Sequence, residues 1–351
     1  MTIIKRNLVS GFVGFLAYTL GAQTPMEDLI LNTSPAGKTT FKLEASDNQG
    51  NSGYLPVVVV KGSTPGPVFS IVAGVHGYEY PPIIATQELL AEIDATRLKG
   101  TLIVVPIANR ASFLGREPFR NPQDGVNLNN AFPGDAEGTI TQRLADIITR
   151  KIIPHSTVFL DIHGGDACED LIPFVCYYNN REQAENTAVA KRLSDTAGFP
   201  YVVSYPYTIK ATDPAKYAFK QAVQDGKIAL SIEGGKLGNV QEEVVALIKN
   251  GVYRMLVGMG MWELETLAAT VPIQLNSQTY VRSKVTGIFH TTMKAGDAVK
   301  KDELLGYATD EFGNRLEEYR APNYGIILYH LATPPINKGE TVACVSTYKE
   351  E

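Results

Sequence analysis

PVFSIVAGVHGYEYPPIIATQELLAEI, residues 67–93, holds two folding instructions with a polar turn between them. Val68 to Val75 is an apolar run with no polar alternation, which fits a strand covered on both faces. Pro81 and Pro82 then open a segment whose apolar residues recur at helical spacing. Proline is tolerated there because the first helical N–H groups lack partners in any case. A doubly covered strand followed by a helix is the repeating unit of a parallel α/β sheet. In such sheets, sites form beyond the carboxyl ends of the strands. His76 and Glu79 stand at that point, on glycine-flanked backbone.

The same alternation recurs along the chain. YLPVVVV (54–60), TLIVVPIA (101–108), TVFLDIH (157–163) and KIALSIEGG (227–235) read as further strands. TQRLADIITRKII (141–153), AENTAVAKRLSDTAG (184–198), PAKYAFKQAVQDG (214–226) and the long VQEEVVALIKNGVYRMLVGMGMWEL (240–264) read as helices. The expected fold is α/β, a mostly parallel or mixed sheet with helices on both faces. From residue 271 the runs shorten and glycine punctuates them, which predicts a small all-β domain over 271–351. Within it, GIFHTTMKAGDAVKKDELLGYATD (287–310) and GIILYHLATPPINKGETVACVS (325–346) share an order: Gly-Ile, a short strand, a Lys-Gly turn, another strand. Two similar halves of a compact barrel or sandwich are expected. The expected division is therefore 1–22, 23–270 and 271–351.

Chemistry-bearing residues fall at three of the predicted strand ends: His76 with Glu79, His163, and Glu233. Two histidines and a carboxylate suit a catalytic Zn2+, one per chain, with a fourth position left for water. Glu233 has the place of a general base beside the metal. Each residue also has a plainer reading. His76 could be a packed core histidine and Glu79 the capping acid of the following helix. His163 could bond backbone at a strand end, and Glu233 could pair with a lysine.

The loop REPFRNPQDGVNLNNAFPGD (116–135) adds arginines and asparagines in a segment with little apolar content. The order G-x-H-G-x-E, then R-x-x-x-D-G-x-N-L-N-N-x-F-P-G, then D-x-H, then a strand ending in glutamate resembles the succinylglutamate desuccinylase/aspartoacylase family of the zinc carboxypeptidase superfamily. The likeness runs over roughly residues 55–265, and the C-terminal region is similar to that family's small barrel with biotinyl-like hairpins. The resemblance implies zinc held by His76, Glu79 and His163, with Glu233 as base. It assigns Arg120 to the scissile carbonyl, and Asn129 to the substrate's carboxylate. Two positions depart from the family pattern: Asn127 replaces an aspartate, and Asn130 replaces an arginine. Asn130 therefore predicts only modest preference for a free carboxylate, with Arg116 the nearby cation able to substitute. Asp161, two residues before His163, is expected either to orient that ligand or to form a strand-end ion pair.

The formal net charge of −5, without a basic run, argues against nucleic acid or an anionic membrane as partner. MTIIKRN, LVSGFVGFLAYTL and GAQ have the order of a secretory signal peptide, with cleavage after Ala22. Its removal takes away Lys5 and Arg6 and no acid, moving the charge from −5 to −7, and leaves no further membrane segment. Cys168, Cys176 and Cys344 are an odd set, read as small buried residues, with a Cys168–Cys176 bridge as the alternative. The reading is a periplasmic or secreted zinc amidohydrolase acting on an N-acyl amino acid or similar small amide. A peptide substrate, including a cell-wall fragment, is the alternative, and a non-catalytic binding protein on the same fold is the rival from another class. Assembly as a homo-oligomer is left open.

Overall fold

The computed structural model describes residues 26–32, 34–264 and 271–348. The signal-peptide stretch therefore lies outside the described residues. After a short helix α1 (Met26–Leu31), strands β1 (Gly37–Ser46) and β2 (Ser52–Lys61) form an antiparallel hairpin. Next, β3 (Thr64–Ala73), α2 (Tyr80–Glu92) and β4 (Lys99–Val105) form a parallel strand–helix–strand unit, as residues 67–93 predict. Helices α3 (Arg110–Gly115) and α4 (Ile140–Ile147) lead to β5 (Val158–His163), parallel to β3 on its other side. Then follow β6 (Glu169–Leu171), β7 (Phe174–Asn179), α5 (Ala184–Thr196) and β8 (Tyr201–Pro206). Helix α6 (Ala218–Gln224), β9 (Ile228–Glu233) and α7 (Glu242–Gly258) complete this part.

The order across the sheet is β1-β2-β4-β3-β5-β9-β7-β8. Its centre, β4-β3-β5-β9, is parallel, and β9 pairs antiparallel with β7, so the sheet is mixed. All residues of β5 are buried, as the lack of polar alternation requires. One apolar layer joins this face to α4 and α6 through Leu144, Ala145, Phe219 and Val223. The other joins it to α2, α5 and α7 through Leu89, Leu193, Ile248 and Met255. Each fully buried aliphatic side chain contributes about 1.5–3 kcal/mol relative to exposure, so the central strand tips are held by rigid packing on both sides.

Beyond the expected boundary the chain does not leave this sheet. Residues 265–270 lie outside the described ones, and β10 (Ile273–Arg282) then pairs parallel with β8. The remaining strands are β11 (Gly287–His290), β12 (Ala298–Val299), β13 (Leu304–Thr309), β14 (Arg315–Arg320), β15 (Gly325–Leu331), β16 (Pro335–Ile336) and β17 (Thr341–Tyr348). β17, β15 and β12 continue the large sheet to 13 strands, counting β6, which pairs β15. A separate antiparallel sheet has the order β14-β13-β11-β16. The repeat appears as strand, short strand, strand in each half. Each half lends its short strand to the other: β12 pairs β15, and β16 pairs β11. No helix among the described residues is long and apolar enough to cross a membrane. All three cysteines are free; the Cys168 thiol donates to Asp166 Oδ1 at 3.1 Å instead of meeting Cys176.

Candidate active site

The tips of β3, β5 and β9 lie side by side, and the parallel register places His163 directly opposite Glu233. His76 and Glu79 belong to the turn between β3 and α2. Glu79 occupies the position before the first turn of α2 yet does not cap that helix. Its carboxylate turns inward instead. Oε2 accepts the His76 backbone N–H at 3.1 Å, while Oε1 lies 2.7 Å from His76 Nδ1 and 3.0 Å from His163 Nδ1. One donor atom from each of the three residues lies within 4.8 Å of the others. All three side chains are buried.

Two further contacts set the ring orientations. Asp161 Oδ2 lies 3.1 Å from His163 Nε2 and also accepts the Phe219 N–H at 3.3 Å. On the other ring, His76 Nε2 lies 3.2 Å from Asn127 Oδ1, which accepts the Asn129 N–H at 2.8 Å. That second bond fixes which end of the Asn127 amide faces the imidazole. Each ring thus meets an acceptor at Nε2 and presents Nδ1 to the cluster. This is how histidines behind a metal are commonly held. Asp161 therefore orients His163, one of the two readings open for it, and Asn127 does for His76 with a neutral amide what the family's aspartate would do with a charge.

The same three tips give two carboxylates opposite character. Burial raises the Glu79 carboxyl, but the flanking His76 and His163 charges outweigh it and hold the group at about 2. His163 is lifted well above the ordinary histidine range: burial opposes its charge, and Asp161 and Glu79 overcome that. Burial pushes Glu233 up to about 8, with His163 opposing and the Glu79 and Glu169 charges adding to the rise. No hydrogen bond ties the Glu233 carboxylate to another described residue.

These groups open into a cavity of about 330 Å³. His76, Glu79, His163, Glu233 and Asn129 all line it. Arg116, Arg120 and Asn130 are exposed and do not. Arg120 instead donates from Nη1 to the Gly125 carbonyl at 2.8 Å, and Arg116 follows α3 with a left-handed backbone, φ 54°. Tyr78 and Tyr80 pack ring against ring at 5.5 Å, outside the cavity. Sequence reasoning missed much of the remaining wall, above all Glu169 on β6 and tyrosines 178, 205, 217, 280 and 329 from five separate segments. Glu169 had a sequence signal, an acid run (DACED) directly after the His163 turn. The tyrosines had none, because they meet only through long-range strand pairing.

Residues 65–259, more than half of the chain, match the succinylglutamate desuccinylase/aspartoacylase catalytic domain. The chain belongs to the succinylglutamate desuccinylase/aspartoacylase family. Within that family it is 33% identical, over 88% of this chain and 91% of the other, to the N-alpha-acetyl-L-2,4-diaminobutyric acid deacetylase of Halomonas elongata. Among solved structures, the product-bound ectoine utilization protein EutE of Ruegeria pomeroyi superposes with a TM-score of 0.80 at 27% identity, over 90% of this chain and 97% of that one. A succinylglutamate desuccinylase from Silicibacter matches with a TM-score of 0.80 at 25% identity, over 91% and 97%. The desuccinylase and deacetylase relatives are amide-hydrolysing enzymes by name, and the fold, C-terminal strands included, agrees with those structures over 90–91% of this chain.

Proposed function

We propose that the chain is an exported, zinc-dependent deacylase of small N-acyl amino acids. The observation that carries this reading is the convergence of His76, Glu79 and His163 on one point, with the unbonded carboxylate of Glu233 beside it. The donors fit zinc. Donor atoms of all three lie within 4.8 Å of one another, a span that a small shift would bring to the ~3.3–3.6 Å edge of a tetrahedron with bonds of ~2.0–2.2 Å, and two imidazoles with one carboxylate are a familiar catalytic zinc set. A binding protein would have no use for the fourth residue.

Zinc held there would polarise an amide carbonyl and acidify a water molecule. The protein's own part is proton handling. Glu233 accepts a proton from the attacking water as the C–O bond forms, and returns it to the amine nitrogen as the C–N bond breaks. Asp161 and Asn127 keep both imidazoles turned inward. A cavity of about 330 Å³ favours a compact acylated amino acid over a longer peptide, and the deacetylase and desuccinylase relatives support the same class. Arg120, assigned to the scissile carbonyl by the resemblance, lies outside the cavity and donates to the Gly125 carbonyl, so the proton steps are assigned without it. Export rests on the order of charged, apolar and small residues at the N-terminus.

The test is elemental analysis of gently purified protein. About one zinc per chain is expected, with most of it lost in His163→Ala, since two protein ligands rarely hold zinc against buffer. Protein that contains no transition metal and takes up no added zinc would refute the proposal.

A further inference from the structure

Among the described residues three carboxylates line the cavity, those of Glu79, Glu169 and Glu233, and no lysine or arginine does. A single dication among the strand tips offsets two of those charges. The third belongs to Glu169: no lysine or arginine among the described residues pairs with it, and the His76 charge that favours its ionised form is outweighed by burial and the Asp166 charge. Among the described residues its carboxylate has one hydrogen bond, a long one of 3.5 Å from the Asp166 N–H to Oε2, and Asp166 is itself a buried acid. Two cations approach the aromatic wall without lining the cavity: Lys220, 5.3 Å from the Tyr178 ring centroid and 5.8 Å from that of Tyr217, and Arg282, 5.9 Å from that of Tyr280. Burial, with the Asp166 charge adding, raises the Glu169 carboxyl to about 7. An enclosed, uncompensated carboxylate is costly in a folded protein.

The rest of the wall is suited to the same guest. Tyr178, Tyr205, Tyr217, Tyr280 and Tyr329 all line the cavity, and their hydroxyls make no hydrogen bond to protein among the described residues. Phe219 stacks on Tyr178 at 4.7 Å. Aromatic faces attract an ammonium group, and free phenol oxygens can accept its N–H bonds.

Resting on the function proposed above, we infer that Glu169 is a specificity-determining residue. It pairs with a positively charged group, an ammonium, carried by the substrate in addition to its acylated nitrogen. The cavity would then select small N-acylated diamino compounds over N-acylated dicarboxylates. A second carboxylate would meet Glu169 with no cation beside it. Asn130, exposed and uncharged where the family pattern has arginine, is consistent with that preference.

Calorimetric titration of the zinc-loaded full chain tests this without turnover. The probes are 2,4-diaminobutyrate and 2-aminobutyrate, which share a skeleton and differ by one ammonium. Wild type should bind the diamine at least about 10-fold more tightly, the range of a charge-assisted hydrogen bond. Glu169→Gln should bring the two within about 3-fold while keeping its zinc and its melting temperature. Glu169→Asp, which keeps the charge on a shorter arm, should restore part of the preference. A preference that survives Glu169→Gln would overturn the inference, as would loss of zinc in that variant, which would make Glu169 a support of the metal. If the preference is present but no N-acyl amino acid is hydrolysed, the deacylase reading fails and this one stands.

Discussion

Glu79 and Glu233 are the same residue type and both feel the His163 charge, yet their carboxyl groups are held at about 2 and pushed up to about 8. Their partners make the difference. Glu79 touches both histidines, whereas Glu233 is desolvated beside other acids, its carboxylate without a hydrogen bond to any described residue. A pair of titratable groups pushed apart in this way is how one site divides ligand and base roles. Glu233→Gln should therefore keep zinc and fold while lowering kcat by ~10²-fold or more. Loss of metal would instead make Glu233 a ligand. The pH dependence has a definite sign. A base must be deprotonated, so kcat/KM should fall as pH drops through the Glu233 pKa. A bound dication favours the charged form, so that limb should lie below about 8. A pH–rate profile of zinc-loaded enzyme checks this. At this scale the sequence was most legible where a residue acts through its neighbours in the chain: His76 and Glu79 share one turn, and Asp161 stands two positions from His163. It was least legible where a long side chain chooses among distant partners. The position of Arg120 was visible, but not its bond to the Gly125 carbonyl.

At the scale of elements, strand tips hold the site, and their spacing is set by backbone contact. A Cβ on Gly164 would lie 2.3 Å from the Gly234 carbonyl oxygen, backbone against backbone. β5 and β9 would have to part just where His163 and Glu233 end them. Gly164→Ala should cost about 1–3 kcal/mol of stability and weaken zinc binding by about 10–100-fold. Melting curves and a competitive zinc titration measure both, and unchanged zinc affinity would mean that tip spacing does not govern the ligands. The strands that meet at these tips were readable because burial on both faces leaves an unbroken apolar run. β1 alternates cleanly between the two faces, a pattern present in GKTTFKLEAS that belonged to no predicted element. β7 and β8, FVCYYN and YVVSYP, are short and rich in tyrosine. Their apolar content reads as neither period, and the antiparallel pairing of β7 with β9 is a tertiary choice that local sequence does not encode.

For the whole molecule, the C-terminal region does more than append a small sheet. β10 extends the main sheet beside β8, and β10 and β15 bring Tyr280 and Tyr329 into the cavity wall. The change of texture at residue 271 was visible in the sequence. The return of those strands to the catalytic sheet was not, because parallel pairing across more than 70 residues (Tyr201 with Ile273) leaves no local trace. Residues from both regions thus line the one cavity that holds the strand-tip cluster. The central claim is that this cluster, with zinc, removes the acyl group from small N-acyl amino acids. Its most direct test is release of free amine from a panel of N-acetyl amino acids, N-acetyl-2,4-diaminobutyrate among them, by the full chain before and after metal removal. Zinc-loaded protein should release amine from at least one member. Chelation should cut the rate ~10²-fold or more, as loss of the ion's Lewis acidity requires, and added zinc should restore it. A zinc-loaded protein that releases amine from none of them, or one whose rate survives complete removal of the metal, would contradict the account.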